Sequence, residues 1–350
     1  MGDSYAAGIG LGAREDTYCL RYNGGYGPLI QAALQPQPAK FNWPACSGDK
    51  MPQILNDQFN ARGGFIRTGA WGDMPSIVTL HAGGNDILFK ELVTRCIYGI
   101  PMFTIDETCD EVIAKSRALV GNPQFLTDGI YAIITKTLQQ ASQKQIPNFK
   151  MFVMGYAQFF NEDTIQCNQV IGLPCPRWLH WSTAQALTQN LRRQLNQLAK
   201  DLNAGIEAAV TRAAATNPGS VTFVPIDDLF EGHRFCDRTE PNAKDPETWF
   251  ITYGTLDKGS PNADDVNAQA LLAAMPSLNN YRDKNTANAR SLDLGTFINI
   301  TTTNPAVANS PAALGAAVDV VDVFHPTLAG QQAIMQRLMQ RFEQINSGID

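Results

Sequence analysis

Three short apolar runs predict buried strands. They occupy residues 76–80 (SIVTL), 150–156 (KMFVMGY) and 221–226 (VTFVPI), and they are rich in β-branched and aromatic side chains. Continuous apolar runs of this length are typical of parallel strands that are covered on both faces. The pattern therefore predicts a mainly parallel sheet.

Between and after these runs, apolar residues recur every three or four positions, which predicts amphipathic helices. One such pattern covers residues 111–143 with a break at 121–123, and another covers residues 183–216. A final helix is expected from near Pro326 through Phe342, because proline suits the first turn of a helix. Strands that alternate with helices predict an α/β fold.

Residues 238–314 have a different composition, rich in Asn, Asp, Pro and Thr, which is typical of loops and turns. We find no internal repeat and no linker between domains, so we expect one domain over residues 1–350 with a loop-rich insertion. The insertion either covers a substrate cleft or is a surface excursion, and the sequence leaves both open.

Charge and hydropathy exclude two classes of partner. The 350 residues carry a net charge of −6, with 44% hydrophobic and 17% charged residues, which is the composition of a globular chain. Nucleic-acid binding would call for clustered Lys and Arg, and no apolar run is long enough to cross a bilayer. We therefore expect no nucleic-acid partner and no membrane span.

Three separated motifs contain the residue types of nucleophilic catalysis. They are residues 2–8 (GDSYAAG), 83–86 (GGND) and 322–326 (DVFHP). A serine hydroxyl is a weak nucleophile and needs a neighbouring imidazole to take its proton. The imidazole in turn needs a group that holds its tautomer and stabilises its charge.

Together with residues 45–48 (ACSG), these motifs resemble the four ordered sequence blocks of SGNH (GDSL-type) hydrolases. The resemblance implies Ser4 as nucleophile, His325 as general base and Asp322 as its acidic partner. It also implies an oxyanion hole formed by the backbone N–H groups of Ser4 and Gly48 and the side-chain amide of Asn85. The implied fold is a flavodoxin-like, three-layer α/β/α sandwich with about five parallel strands.

The resemblance implies a carboxylic-ester hydrolase of the esterase or lipase type, working through an acyl-enzyme without cofactor or metal. We expect a monomer that acts on a small-molecule, lipid or acylated-carbohydrate ester. Phospholipase and acyltransferase activities would use the same residues, so the sequence leaves them open.

The start of the chain adds another alternative. The nucleophile of this family follows the first strand, whereas only Met1 precedes the Gly-Asp-Ser motif here. We therefore expect the first strand and a secretory leader to be missing from this chain. Because that strand would hold the Ser4 turn, a catalytically silent binding protein stays open as an alternative.

Seven cysteines without a Cys-x-x-Cys pair favour disulfides over a zinc or redox site. Their spacing suggests one pair between Cys19 and Cys46 and another between Cys96 and Cys109. A third pair would use two of three cysteines, namely Cys167, Cys175 and Cys236. Disulfides are typical of oxidising compartments, so we expect a secreted protein. Seven reduced thiols are the alternative, and the sequence does not settle the connectivity.

Overall fold

The computed structural model describes residues 1–16, 18–34, 36, 38, 41–59, 74–98, 107–170, 185–238, 247–251 and 323–347. The insertion predicted at 238–314 lies outside this part of the chain, apart from residue 238 and residues 247–251. Two of the predicted site residues, Cys175 and Asp322, also lie outside it.

The structure is a mixed α/β fold around a parallel sheet. The strands are β1 (Arg14–Asp16), β2 (Arg21–Tyr22), β3 (Ile77–Leu80), β4 (Lys150–Met154) and β5 (Val221–Val224). Within the described residues, β3, β4 and β5 form a parallel sheet in that order, while β1 and β2 form a separate antiparallel pair. Met151 in the central strand lies opposite both Val78 and Val221. The three predicted strands are therefore confirmed, each slightly shorter at one end.

Helices connect the strands and cover the sheet. The α-helices are α1 (Ser4–Ala7), α2 (Tyr26–Ala33), α3 (Met51–Asn56), α4 (Phe89–Leu92), α5 (Cys109–Val120), α6 (Leu126–Gln143), α7 (Gln189–Thr216) and α8 (Leu328–Ser347). A π-helix, Val93–Tyr98, continues α4, and two 3₁₀-helices occupy Gln166–Gln169 and Asp227–Phe230. The predicted break between α5 and α6 is confirmed.

One of the two predicted helix starts was wrong and the other was confirmed. Helix α7 begins at Gln189 rather than 183, because the Thr188 hydroxyl caps the helix by accepting the Leu191 N–H at 3.2 Å. Helix α8 begins near Pro326 as predicted, at Leu328, while Pro326 itself precedes the helix and forms an antiparallel bridge with Phe250. In both cases contacts before the helix, rather than the apolar periodicity, set its first residue.

The helices pack in two groups. Helix α8 packs on α2, and its Phe342 ring lies 4.7 Å from the ring of Phe152 in β4. Helix α6 packs on α7, which also contacts β4 and β5. At Gly205 in α7 a Cβ atom would lie 2.5 Å from Leu126, so glycine allows α6 and α7 to approach closely.

The first residues of the chain join the sheet at the end of β3. Gly2 forms a parallel bridge with His81, and the Asp3 N–H donates to the His81 carbonyl at 3.1 Å. Gly2 has φ +134°, and a Cβ there would lie 2.2 Å from the His81 carbonyl oxygen. Only glycine fits such a backbone. This contact places Ser4 at the carboxyl end of the parallel strands, where active residues of such sheets gather.

Three disulfides lie within the described residues. Cys19 pairs with Cys46 and Cys96 pairs with Cys109, as predicted. The third links Cys167 to Cys236, which settles the pairing that the sequence left open.

A buried arginine ties the segment after β4 to the start of α7. The Arg192 side chain donates to the carbonyl oxygens of Leu187 (2.9 Å), Asn161 and Thr164. It also donates to the Thr164 hydroxyl and the Asn168 side-chain oxygen, both at 3.1 Å. Every N–H of the guanidinium thus has an acceptor, which makes the burial of this charge tolerable.

We predict that Arg192→Met lowers the free energy of unfolding by about 3 kcal/mol, because it leaves several buried acceptors unsatisfied. Urea denaturation measures the change. The neighbouring Arg193→Met variant is the matched control, since half of the Arg193 side chain is exposed and its ion pair with Asp163 is long at 3.6 Å. Arg193→Met should change stability by less than about 0.5 kcal/mol. Equal losses in the two variants would contradict the role given to Arg192.

Candidate active site

Ser4 is the first residue of the single-turn helix α1, and Asp3 caps that helix. The Asp3 carboxylate accepts the Tyr5 N–H at 3.0 Å, so Asp3 fixes the turn. Gly8 ends the helix with φ +65° and donates its N–H to the Ser4 carbonyl. This tight turn holds the nearly buried Ser4 side chain in one place.

The structure brings Ser4 and His325 together from opposite ends of the chain. The Nε2 atom of His325 lies 2.6 Å from the Ser4 Oγ. Residues 323–326 are held by a neighbouring segment, since the Phe324 N–H donates to the Ile251 carbonyl at 2.9 Å and the Ile251 N–H donates to the His325 carbonyl at 2.7 Å. The predicted proximity of serine and histidine is thus present in the structure.

The other nitrogen of His325 has a backbone partner that the sequence did not indicate. Nδ1 lies 3.1 Å from the Val323 carbonyl oxygen. If Nδ1 carries the proton and donates it there, Nε2 is left as an acceptor facing Ser4. Because every residue has a backbone carbonyl, the sequence contains no signal that the Val323 carbonyl would be the partner of His325. Asp322, the predicted acidic partner, lies outside the described residues.

The loops that contain the three predicted oxyanion donors are joined by hydrogen bonds. The Cys46 N–H donates to the Gly2 carbonyl at 3.0 Å, and the Asn85 side-chain amide donates to the Asp49 carbonyl at 3.0 Å. Gly48 lies exposed between these contacts with φ +86°. Within the described part of the chain, the N–H groups of Ser4 and Gly48 donate to no protein acceptor. Within those residues, both N–H groups remain available to a ligand.

An apolar cavity of about 670 Å³, including its open mouth, lies beside Ser4. Helix α4 and the π-helix form one wall with Phe89, Leu92, Val93 and Ile97. Helix α7 forms another wall with Leu195, Leu198, Ala199 and Leu202. Phe159, Phe160 and Phe324 add aromatic surface, while Ser4 and Asn85 supply polar groups. A long apolar group could therefore lie next to the serine hydroxyl.

Buried acids surround the serine turn. Burial raises the pKa of Asp3 to about 7, although the hydrogen bond from Tyr156 opposes the rise. Burial likewise raises the pKa of Asp86 and that of Asp49 to about 6. His81 is fully buried with its Nε2 atom 2.7 Å from the Gly155 carbonyl, and burial lowers its pKa to about 3. A neutral, enclosed His81 supports its loop rather than serving as a base.

The described ranges show neither a metal-ligand cluster nor a membrane-spanning helix. They contain no cluster of three or more His, Cys, Asp or Glu side chains placed to hold a metal ion. No helix in these ranges combines the length and apolar character needed to cross a bilayer.

Comparison with known proteins relates the chain to bacterial lipases by sequence. A lipase from Streptomyces rimosus is 27% identical over 241 residues, which are 67% of this chain and 72% of that protein. Lipase 1 from Streptomyces coelicolor is 27% identical over 240 residues, 67% of this chain and 71% of that protein. No protein-family model matches the chain.

Solved structures show the same fold. A phospholipase A1 from Streptomyces albidoflavus superposes with a TM-score of 0.54 at 19% identity, covering 97% of this chain and 96% of that one. An extracellular lipase from Streptomyces rimosus gives a TM-score of 0.51 at 20% identity with the same coverage. Sequence and fold together support a relationship to a lipase family.

Proposed function

We propose that this protein is a lipid-ester hydrolase that works through an acyl-enzyme on Ser4. The observation that carries the proposal is the 2.6 Å contact between Ser4 Oγ and His325 Nε2 beside an apolar cavity that Ser4 itself lines. A silent binding protein would need no such contact. The lipases and the phospholipase A1 to which the chain is similar support the same activity.

In the proposed mechanism His325 Nε2 takes the Ser4 proton as Oγ attacks the ester carbonyl carbon. The tetrahedral intermediate then collapses, and the imidazolium gives the proton to the departing alcohol. In the second half of the reaction, His325 takes a proton from water as the water attacks the acyl-enzyme. The proton then returns to the Ser4 Oγ as the fatty acid leaves. The Val323 carbonyl holds the imidazole tautomer, and we propose that Asp322 stabilises the charge that forms on the ring.

The negative charge of the intermediate falls on the former carbonyl oxygen. We propose the backbone N–H groups of Ser4 and Gly48 and the amide of Asn85 as its donors. The two backbone groups are free in the described structure, and one Asn85 N–H remains after its bond to Asp49. Loss of one such donor costs roughly 3 kcal/mol of transition-state stabilisation.

The cavity favours an acyl chain over a sugar as the group bound next to Ser4. Its walls are aliphatic and aromatic, so they would bury methylene groups at about 0.8 kcal/mol each. A triacylglycerol and a phospholipid would present the same acyl chain there. The order of the four motifs supports the finer assignment to the SGNH type. The disulfides and the similarity to an extracellular lipase support secretion.

Ser4→Ala tests the nucleophile. We expect it to abolish fluorophosphonate labelling and to lower kcat on p-nitrophenyl butyrate by a factor of about 10⁴ or more. The control is Ser142→Ala, since Ser142 is an exposed serine in α6, and its labelling and turnover should match those of the parent. Ester cleavage that persists undiminished in Ser4→Ala would refute the proposed function.

Ala199→Phe tests the acyl site, because it would fill the cavity from α7. We expect kcat/KM for p-nitrophenyl palmitate to fall roughly tenfold or more, while that for the acetate falls less than about threefold. Ala204→Phe places the same side chain on the exposed face of α7 and should leave both values unchanged. A uniform loss on both esters in Ala199→Phe would show that the chain binds elsewhere.

Removal of disulfides separates effects on the site from effects on stability. The Cys19–Cys46 bridge holds the segment that contains Gly48, so the Cys19→Ala/Cys46→Ala variant should lose esterase activity well below its melting temperature. The Cys167–Cys236 bridge spans 69 residues rather than 27, so its removal should cost about 0.8 kcal/mol more stability. Thermal melts measure the stability of the two variants, and initial rates measure their esterase activity. Parallel losses of activity and stability in the two variants would contradict the assignment.

A further inference from the structure

Tyr156 lies beneath the proposed site and its position is fixed from several sides. The Asn203 side chain of α7 accepts the Tyr156 N–H at 2.7 Å and donates to the Tyr156 carbonyl at 2.8 Å. The buried ring lies 5.1 Å from the ring of Tyr5 and 5.1 Å from that of His81. A side chain held in this way cannot move its hydroxyl without disturbing α7 or the sheet.

The Tyr156 hydroxyl joins the two loops that contain the proposed nucleophile and oxyanion amide. It donates to the Asp3 carboxylate at 2.5 Å and accepts the Gly84 N–H at 3.3 Å. Asp3 directly precedes Ser4, and Gly84 directly precedes Asn85. A Cβ at Gly84 would lie 3.2 Å from the Tyr156 ring, so glycine lets the ring lie against this loop.

We propose that Tyr156 is a positioning residue that sets the separation between the Ser4 hydroxyl and the Asn85 amide by acting through Asp3 and Gly84. The inference rests on the proposed function. In the proposed reaction, the carbonyl carbon of the substrate must lie next to the Ser4 hydroxyl while the carbonyl oxygen lies next to the Asn85 amide. Catalytic groups tolerate deviations of only about 0.5 Å from their productive positions. The Tyr156 hydroxyl bonds the preceding residues rather than Ser4 or Asn85, so it acts through them.

The charge on Asp3 adds a pH signature. Burial raises the pKa of Asp3, and the charges of Asp86 and Asp49 raise it further, whereas the Tyr156 hydroxyl and the Tyr5 N–H oppose the rise. Burial lowers the pKa values of the Met1 amino group and His81 and raises those of Tyr5, Tyr26 and Tyr156, so these five neighbours are neutral at pH 7. Removal of the Tyr156 hydroxyl therefore raises the pKa of Asp3, and the carboxylate that holds the turn persists only at higher pH.

Tyr156→Phe is the test. We expect kcat on p-nitrophenyl butyrate to fall roughly 10- to 100-fold, with KM changed less than about threefold, because misplacement affects the transition state more than binding. The acidic limb of the kcat/KM profile should move to higher pH. Tyr26→Phe is the matched control: Tyr26 is equally buried and packs on His81, but its hydroxyl does not bond Asp3 within the described structure. It should keep the parental kcat and profile.

A double-mutant cycle shows whether Tyr156 acts through Asp3. In an Asp3→Asn background, Tyr156→Phe should lower kcat by a smaller factor than it does in the parent, because the bond to the Asp3 charge is already gone and only the bond from the Gly84 N–H remains to be lost. A Tyr156→Phe variant that melts earlier yet keeps the parental kcat and pH profile would overturn the inference, provided that Ser4→Ala is inactive. An active Ser4→Ala variant would instead refute the proposed function and this inference with it.

Discussion

The backbone of Gly2 is the point at which the candidate site is joined to the sheet. Its carbonyl accepts the Cys46 N–H at 3.0 Å and the Gln58 side-chain amide at 2.8 Å, while its N–H donates to Gln58 at 2.9 Å. On its other side it forms a parallel bridge with His81. All of this backbone is buried, where an unpaired polar group would cost free energy. The nucleophile turn therefore has one position relative to the loops that surround it.

The site depends on contacts between distant parts of the chain. Ser4 and His325 are separated by 321 residues. Asp86 accepts the N–H at the start of α3 from Met51 at 3.1 Å, which joins two further segments. In a parallel sheet the loops at the carboxyl ends of the strands converge on one edge. The topology thus brings the motifs together, and the hydrogen bonds among their loops then fix their separation.

The sequence predicted the parts of this arrangement that depend on side-chain type and order. The apolar runs located β3, β4 and β5, and the motif order predicted the meeting of Ser4 and His325. The Val323 carbonyl could not be predicted, because a backbone acceptor leaves no mark in the sequence. Tyr156 was also missed, since it ends an apolar run in which an aromatic residue is expected for packing alone. The catalytic roles of all five residues, namely Ser4, His325, Asp322, Gly48 and Asn85, stay predictions.

The polar groups beneath the site, Asp3 and Tyr156, and the apolar walls of the cavity act together in the proposed mechanism. The walls exclude water, which strengthens electrostatic interactions near Ser4. Burial raises the pKa of the Asp3 carboxyl to about 7, and the hydrogen bonds from Tyr156 and Tyr5 oppose that rise. Proton transfer from Ser4 would create a positive charge on His325 in the same water-poor region. The turn that contains Ser4 is held before the reaction begins, because the Tyr156 hydroxyl and the Tyr5 N–H both donate to Asp3, and groups fixed in advance are the condition under which electrostatic stabilisation lowers a barrier most effectively.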